Sequence, residues 1–287
     1  MLNKNQFKGE TTMDIKLGYQ IYSARDVAEK DLLGVCEKLA EFGYDGVEFA
    51  GFYGYSAEQV KEILVKTGLE PVSSHVPYAS FVEDMEGTIA FHKAIGCKFI
   101  AVPYLDEATR PGAPGFAEAI KNIYKFGFLC KMNGIQLLYH NHDFEFVDIC
   151  GMYGLDFLYA ATPAEILQTE LDTCWVKVAG EDPADFVRKY AGRCPVVHLK
   201  DYIGAKKEGA VLYALINADG SDDQKVEKEE EPAFDFRPVG YGKQDIPSII
   251  KAGLESGADW FIVEQDRSSE RPALDAAKMS CDYVRGL

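Results

Sequence analysis

The chain has no CxxC pair; its seven cysteines, at positions 36, 97, 130, 150, 174, 194 and 281, are scattered and odd in number. That usage excludes a disulfide framework and fits reduced, partly buried thiols in the cytoplasm. No apolar run approaches the length needed to span a bilayer, so no membrane role is expected. The opening segment MLNKNQFKGETTMDIK has no apolar stretch of the kind that marks a secretory signal. Positive charge is scarce: 30 Lys and Arg stand against 46 Asp and Glu, a formal net charge of −16. Such a field repels phosphate backbones, so sequence-independent nucleic-acid binding is not expected. There is no GxGxxG after the first predicted strand, which argues against a dinucleotide site. Histidine is rare as well, with five in the chain, so the places where histidines gather are informative.

What is present is an ordinary core-forming composition, 47% hydrophobic and 26% charged over 287 residues, enough for one large domain. Residues 1–14 read as a disordered leader, with a start at Met13 plausible, and 15–287 as a single domain. Along it, strand-like and helix-like patterns alternate. Ile15–Ser23, GVEFAG (46–51), PVSSHVPY (71–78) and KFIAVPYL (98–105) read as the first four strands. IQLLYHNH (135–142), LQTELDT (167–173), VVHLKD (196–201) and WFIVEQD (260–266) read as the last four. Between them, apolar residues at helical spacing fall between Asp or Ser caps and Gly stops, as in Asp31–Gly43, Ser56–Gly68 and Asp245–Gly257. A helix is also expected over Phe81–Ile95. Eight such units imply parallel strands with right-handed crossovers, and at this length a (β/α)8 TIM barrel. Residues 202–241 break the rhythm with the charge-rich run SDDQKVEKEEE (221–231). They read as a long acidic loop excursion after strand seven, either a solvated surface loop or a lid.

Strands five to eight all end on groups that can hold a metal: His140 and His142, Asp172, His198 and Glu264. In a TIM barrel those ends meet at one mouth. Taken singly each has a structural explanation. Asp172 could cap the segment after its strand, Glu264 could pair with Lys200 or Arg267, and His198 could be a satisfied core residue. Four in succession point to one site for a divalent ion, His140 or His142 with Asp172, His198 and Glu264. Manganese, zinc or iron suits this donor set, magnesium less so. Such an ion would acidify a proton beside a sugar carbonyl and stabilise the enediolate, with a carboxylate alongside shuttling the proton. Glu48, His75, His142, Trp175 and Lys200 are candidates for the substrate pocket, Trp175 by stacking on a sugar face and Lys200 by neutralising an oxyanion. GYG (240–242), before a helix start, is a weak candidate for phosphate binding.

The motifs GVEF (46–49), SSH (73–75), YHNH, ELDTCW, VHLKD and VEQD resemble those of the sugar phosphate isomerase/epimerase superfamily, the xylose-isomerase-like TIM barrels. The resemblance covers nearly the whole chain from Ile15. It implies a metal-dependent sugar isomerase or epimerase with a small-molecule carbohydrate substrate. Barrels of this kind commonly associate, which leaves a homo-oligomer open. In the epimerases, Glu, Asp, His and Glu hold the metal and the two glutamates exchange the proton. Asp172, His198 and Glu264 match the last three, but His140 stands where ENH would place the first glutamate, which leaves Glu264, Glu145 or the His140 imidazole as the base, and Trp175 replaces a further histidine. Inosose dehydratase shares a histidine-rich strand five, so a dehydratase or lyase on a keto-sugar or keto-inositol is the second reading. A non-catalytic sugar-binding barrel is the third.

Overall fold

A computed structural model describes residues 15–206 and 234–287. The expected leader and the acidic run at 221–231 lie outside the described residues.

Eight parallel strands close into a barrel, as the alternating pattern requires. They are β1 (Leu17–Gln20), β2 (Gly46–Ala50), β3 (Glu70–His75), β4 (Phe99–Val102), β5 (Gln136–His140), β6 (Leu167–Asp172), β7 (Val196–Leu199) and β10 (Trp260–Val263). β10 closes the ring by pairing with both β7 and β1. Two further strands, β8 (Asp201–Gly204) and β9 (Phe234–Arg237), form an antiparallel ribbon directly after β7. The sequence reading placed a loop here and missed this ribbon. Its four-residue strands carry Tyr202, Phe234 and Phe236 inward, so the ribbon is anchored in apolar packing.

Period-2 alternation sorts the side chains. On β7, Val197 and Leu199 join the outer core against the helices, while Val196 faces the barrel axis. On β10, Phe261 and Val263 face out, and Trp260 and Ile262 face in. Val72, Phe99, Ala101, Leu138, Val196, Trp260 and Ile262 make an apolar floor. Gly46 permits that floor: a Cβ there would lie 2.6 Å from Val72 Cγ2 and 3.0 Å from the Trp260 ring. Continuing the same alternation past the floor brings His140, Glu170, Asp172, His198, Lys200 and Glu264 to the axis, where they are buried.

The helices follow their predicted punctuation. Leu32–Phe42 is capped by the Asp31 side chain and stopped by Gly43 in the left-handed region. Ala57–Thr67 carries a capping box between Ser56 and Gln59. The helix expected over Phe81–Ile95 is in fact two, Tyr78–Glu83 and Met85–Ile95. Asp84 breaks it, because its carboxylate accepts from the Gly87 amide at 2.9 Å and starts a new helix. None of the described helices is long and apolar enough to cross a membrane.

Candidate metal centre

Four of the expected ligands meet. One ligand atom each of His140, Asp172, His198 and Glu264 lies within 4.8 Å of the others, and all four residues are buried. His140 Nε2 stands 3.6 Å from Asp172 Oδ2 and 3.9 Å from Glu264 Oε2. His198 Nδ1 is 3.0 Å from Glu264 Oε2. The two candidates on strand five are thereby separated: His140 is in the group, while His142 stands beside it with ring centroids 5.3 Å apart.

Asp172 uses its two oxygens differently. Oδ1 accepts from the amides of Cys174 and Trp175, at 2.8 and 3.2 Å, and so caps the short helix Thr173–Val178. Among the described residues Oδ2 accepts no hydrogen bond, and the Lys200 ammonium stands 3.3 Å away as an ion pair. Asn141 steadies this edge: its side-chain amide takes both the N–H and the carbonyl of Asp172, at 3.0 and 3.3 Å, as a neighbouring strand would. Nitrogen and carboxylate donors with a buried, under-coordinated oxygen fit a divalent first-row ion.

Lys200 is buried among three carboxylates, 2.6 Å from Asp266, 3.1 Å from Glu264 and 3.3 Å from Asp172. Burial opposes its charge, but Asp266, Glu264 and Asp172 together hold the ammonium well above its ordinary range. Burial likewise works against ionised Glu264, and Lys200 and His198 overcome it, so this carboxylate stays ionised. For Asp172 burial prevails over Lys200 and pushes the carboxyl up to about 6. His140 is held neutral by burial and by His198 and His75 nearby.

Below the quartet lies a second polar layer. Glu48 accepts from Gln20 Nε2 at 2.5 Å and from the Ser73 hydroxyl, and both His75 Nε2 and His198 Nε2 stand 3.0 Å from its Oε1. Its oxygens are taken by the protein, so Glu48 supports the site from beneath and does not open toward a substrate. His75 is bound there too, 2.6 Å from Glu170 Oε1. Glu170 was missed by the sequence reading, although it precedes Asp172 by two and so shares its face; it forms a second metal-capable group with His75, His140 and His198. Asp266, the partner of Lys200, was missed as well.

The remaining candidates lie around the rim. Trp175 and His142 form part of an aromatic roof: the indole is 5.5 Å from the His142 ring, stacks at 6.3 Å on Phe234 and has the Lys200 ammonium 5.1 Å from its centre. Glu145 is not brought to the group. It accepts from the Tyr139 hydroxyl at 2.7 Å and the His142 amide at 2.8 Å, and burial pushes it up to about 8. The GYG amides are already occupied. Gly240 N and Gly242 N donate to Asp201 Oδ2, at 3.0 and 2.8 Å, so an internal carboxylate fills the place considered for phosphate.

Comparison with known proteins agrees with this architecture. The chain is 24% identical over 272 residues to an inosose dehydratase of Mesomycoplasma hyopneumoniae, covering 87% of this chain and 86% of that one. Its fold superposes on a sugar phosphate isomerase/epimerase from Parabacteroides distasonis with a TM-score of 0.71, at 20% identity and 96% coverage of both chains. A probable 3-DHS dehydratase from Bacillus anthracis gives 0.67 at 15% identity, covering 94% of this chain and 98% of that one. Residues 36–286 match the family described as xylose isomerase-like TIM barrels, and the chain belongs to that family.

Proposed function

We propose that the chain is a metal-dependent enzyme that removes the proton beside the carbonyl of a keto-sugar or keto-polyol and then eliminates water, a dehydratase. The observation that carries this reading is the convergence of His140, Asp172, His198 and Glu264 at the barrel mouth. Manganese, iron or zinc suits their donor set. A divalent ion held there supplies a Lewis acid for the substrate oxygens. Glu264, kept ionised by Lys200 and His198, takes the carbon-bound proton and returns it to the departing β-hydroxyl, which leaves as water. The Lys200 ammonium offsets negative charge growing on the substrate. His142 and Trp175 close the roof above it, and Glu145 holds the His142 loop through that residue's amide.

The order of the two sugar readings is thus reversed from the one drawn on sequence motifs. A proton that leaves as water needs one carboxylate, whereas an epimerase must return it to the opposite face with a second group. Strand five supplies no carboxylate there; it supplies His140, whose Nδ1 is tied to Glu170 at 3.2 Å. The dehydratase relatives point the same way. Isomerase or epimerase remains the second reading, because one carboxylate such as Glu264 suffices to move a proton between two carbons on the same face of an enediol.

The test is incubation of manganese-loaded protein with a panel of keto-polyols and ketoses in D2O, read by mass spectrometry. Loss of 18 Da (the mass of water) supports the dehydratase. Deuterium incorporation without that loss supports the isomerase instead. Neither outcome across the panel, with bound metal verified, rejects enolisation.

A further inference from the structure

We propose that Glu170 is a positioning residue that fixes the tautomer of His140, so that Nε2 and not Nδ1 is presented to Asp172 and Glu264. The inference rests on the metal reading above.

An imidazole has two ring nitrogens, and it can bind a metal through one only if the proton is held on the other. A carboxylate ligand has no such requirement. A histidine at position 140 brings that requirement with it. Glu170 meets it from the neighbouring strand. The β5–β6 register sets His140 directly opposite Glu170, and their side chains share the inward face. Glu170 Oε1 lies 3.2 Å from His140 Nδ1, while His140 Nε2 looks the other way, toward Asp172 Oδ2 at 3.6 Å. The same oxygen is 2.6 Å from His75 Nε2 and 3.3 Å from His198 Nε2. It therefore sits beneath the quartet as an acceptor shared by imidazoles from β3 and β5, with the β7 imidazole close by. For His198, Glu48 is an alternative partner at 3.0 Å. For His140, Nδ1 is partnered by Glu170, so His140 is where its loss would be felt.

The experiment is metal titration of Glu170→Leu and Glu170→Gln, each with His140 and with His140→Glu. Manganese binding is followed by electron paramagnetic resonance and the ligand field by the cobalt visible spectrum. With His140 present, Glu170→Leu is expected to weaken binding about 10–100-fold and alter the cobalt spectrum, as loss of such an orienting group does. Gln, which keeps an acceptor, should restore part of it. In the His140→Glu background the same changes should cost nothing. Equal losses in both backgrounds overturn the inference and leave the metal reading intact. Two ions per chain also overturn it, since Glu170 would then be a ligand itself. No metal in the wild type removes the proposed function and this inference together. Should the Leu variant not fold, nitrogen-15 imidazole shifts of the metal-free wild type decide: a His140 proton on Nδ1 supports the inference, one on Nε2 overturns it.

Discussion

Asp172 is one residue with two separable duties. Its Oδ1 belongs to the backbone, capping Cys174 and Trp175, and its Oδ2 belongs to the site. The geometry shows the cap and also keeps Oδ2 within the group that could hold a metal, two explanations that compete when the sequence is read. Substitutions can divide them. Asn can cap a helix but brings no charge, whereas Ala does neither. Both Asp172→Asn and Asp172→Ala are expected to lose metal affinity at least about tenfold, by removing a charged ligand. In metal-free urea unfolding, Ala should be less stable than Asn by about 1 kcal/mol, the ordinary cost of a lost cap. Equal stabilities would show that the cap contributes nothing here. The same residue illustrates what a sequence can reveal: an aspartate at a strand end before a helix is legible, but which oxygen faces where is not.

At the scale of elements, one buried carboxylate ties the β8–β9 ribbon to the turn that follows it. Asp201 accepts from the amides of Tyr202, Gly240, Gly242 and Gln244, at 2.9, 3.0, 2.8 and 3.1 Å. It thereby ties the start of the ribbon to the turn that leads into the helix Ile246–Ser256. Gly242 is what allows the approach, since a Cβ there would fall 2.1 Å from Asp201 Oδ1. Asp201→Ala leaves these amides without their acceptor, and a buried donor without a partner costs roughly 1–3 kcal/mol. We expect a total loss on the order of 3 kcal/mol by urea unfolding, with hydrogen-exchange protection lost first at Gly240 and Gly242. Unchanged protection at those amides would mean that water replaces the carboxylate at no cost. The ribbon itself was not legible, because its strands are short and flank a charge-rich run that reads as loop. The split at Asp84 was missed for a related reason: apolar spacing continues across it, and the competing side-chain cap is a local contest that periodicity does not register.

For the whole molecule, acid stability is set partly by a histidine remote from the site. His92 is buried in the helix Met85–Ile95, donates Nδ1–H to the Thr88 carbonyl at 2.7 Å, and meets the edges of Phe52 and Phe91. Burial lowers its pKa from 6.5 to about 4. Between those values the unfolded chain binds the proton and the folded chain does not, so stability rises with pH across that window. The contribution is fully present above 6.5 and is lost as pH falls through 4, a change on the order of 3 kcal/mol. His92→Leu should therefore flatten the wild-type decline in unfolding free energy between pH 6.5 and 4. Parallel curves for the two proteins would show that His92 stays neutral in both states.

The sequence by itself determined the barrel. Eight apolar runs alternating with capped helices leave few other ways to bury so much apolar surface, and parallel strands already bring the endings that carry His140 or His142, Asp172, His198 and Glu264 to one mouth. Tertiary structure decided what lay beyond that periodicity. The register of β5 on β6 set Glu170 opposite His140. The closing of β10 on β7 brought Glu264 to His198. Glu48 and His75 became a supporting layer because Gln20, Ser73 and Glu170, on three different strands, were folded around them. Glu145, five residues from His140, turned away to Tyr139 and the His142 backbone. A strand's pattern tells which face a side chain takes. Which partner it meets across the axis depends on residues far away in the chain, and only the closed barrel specifies them.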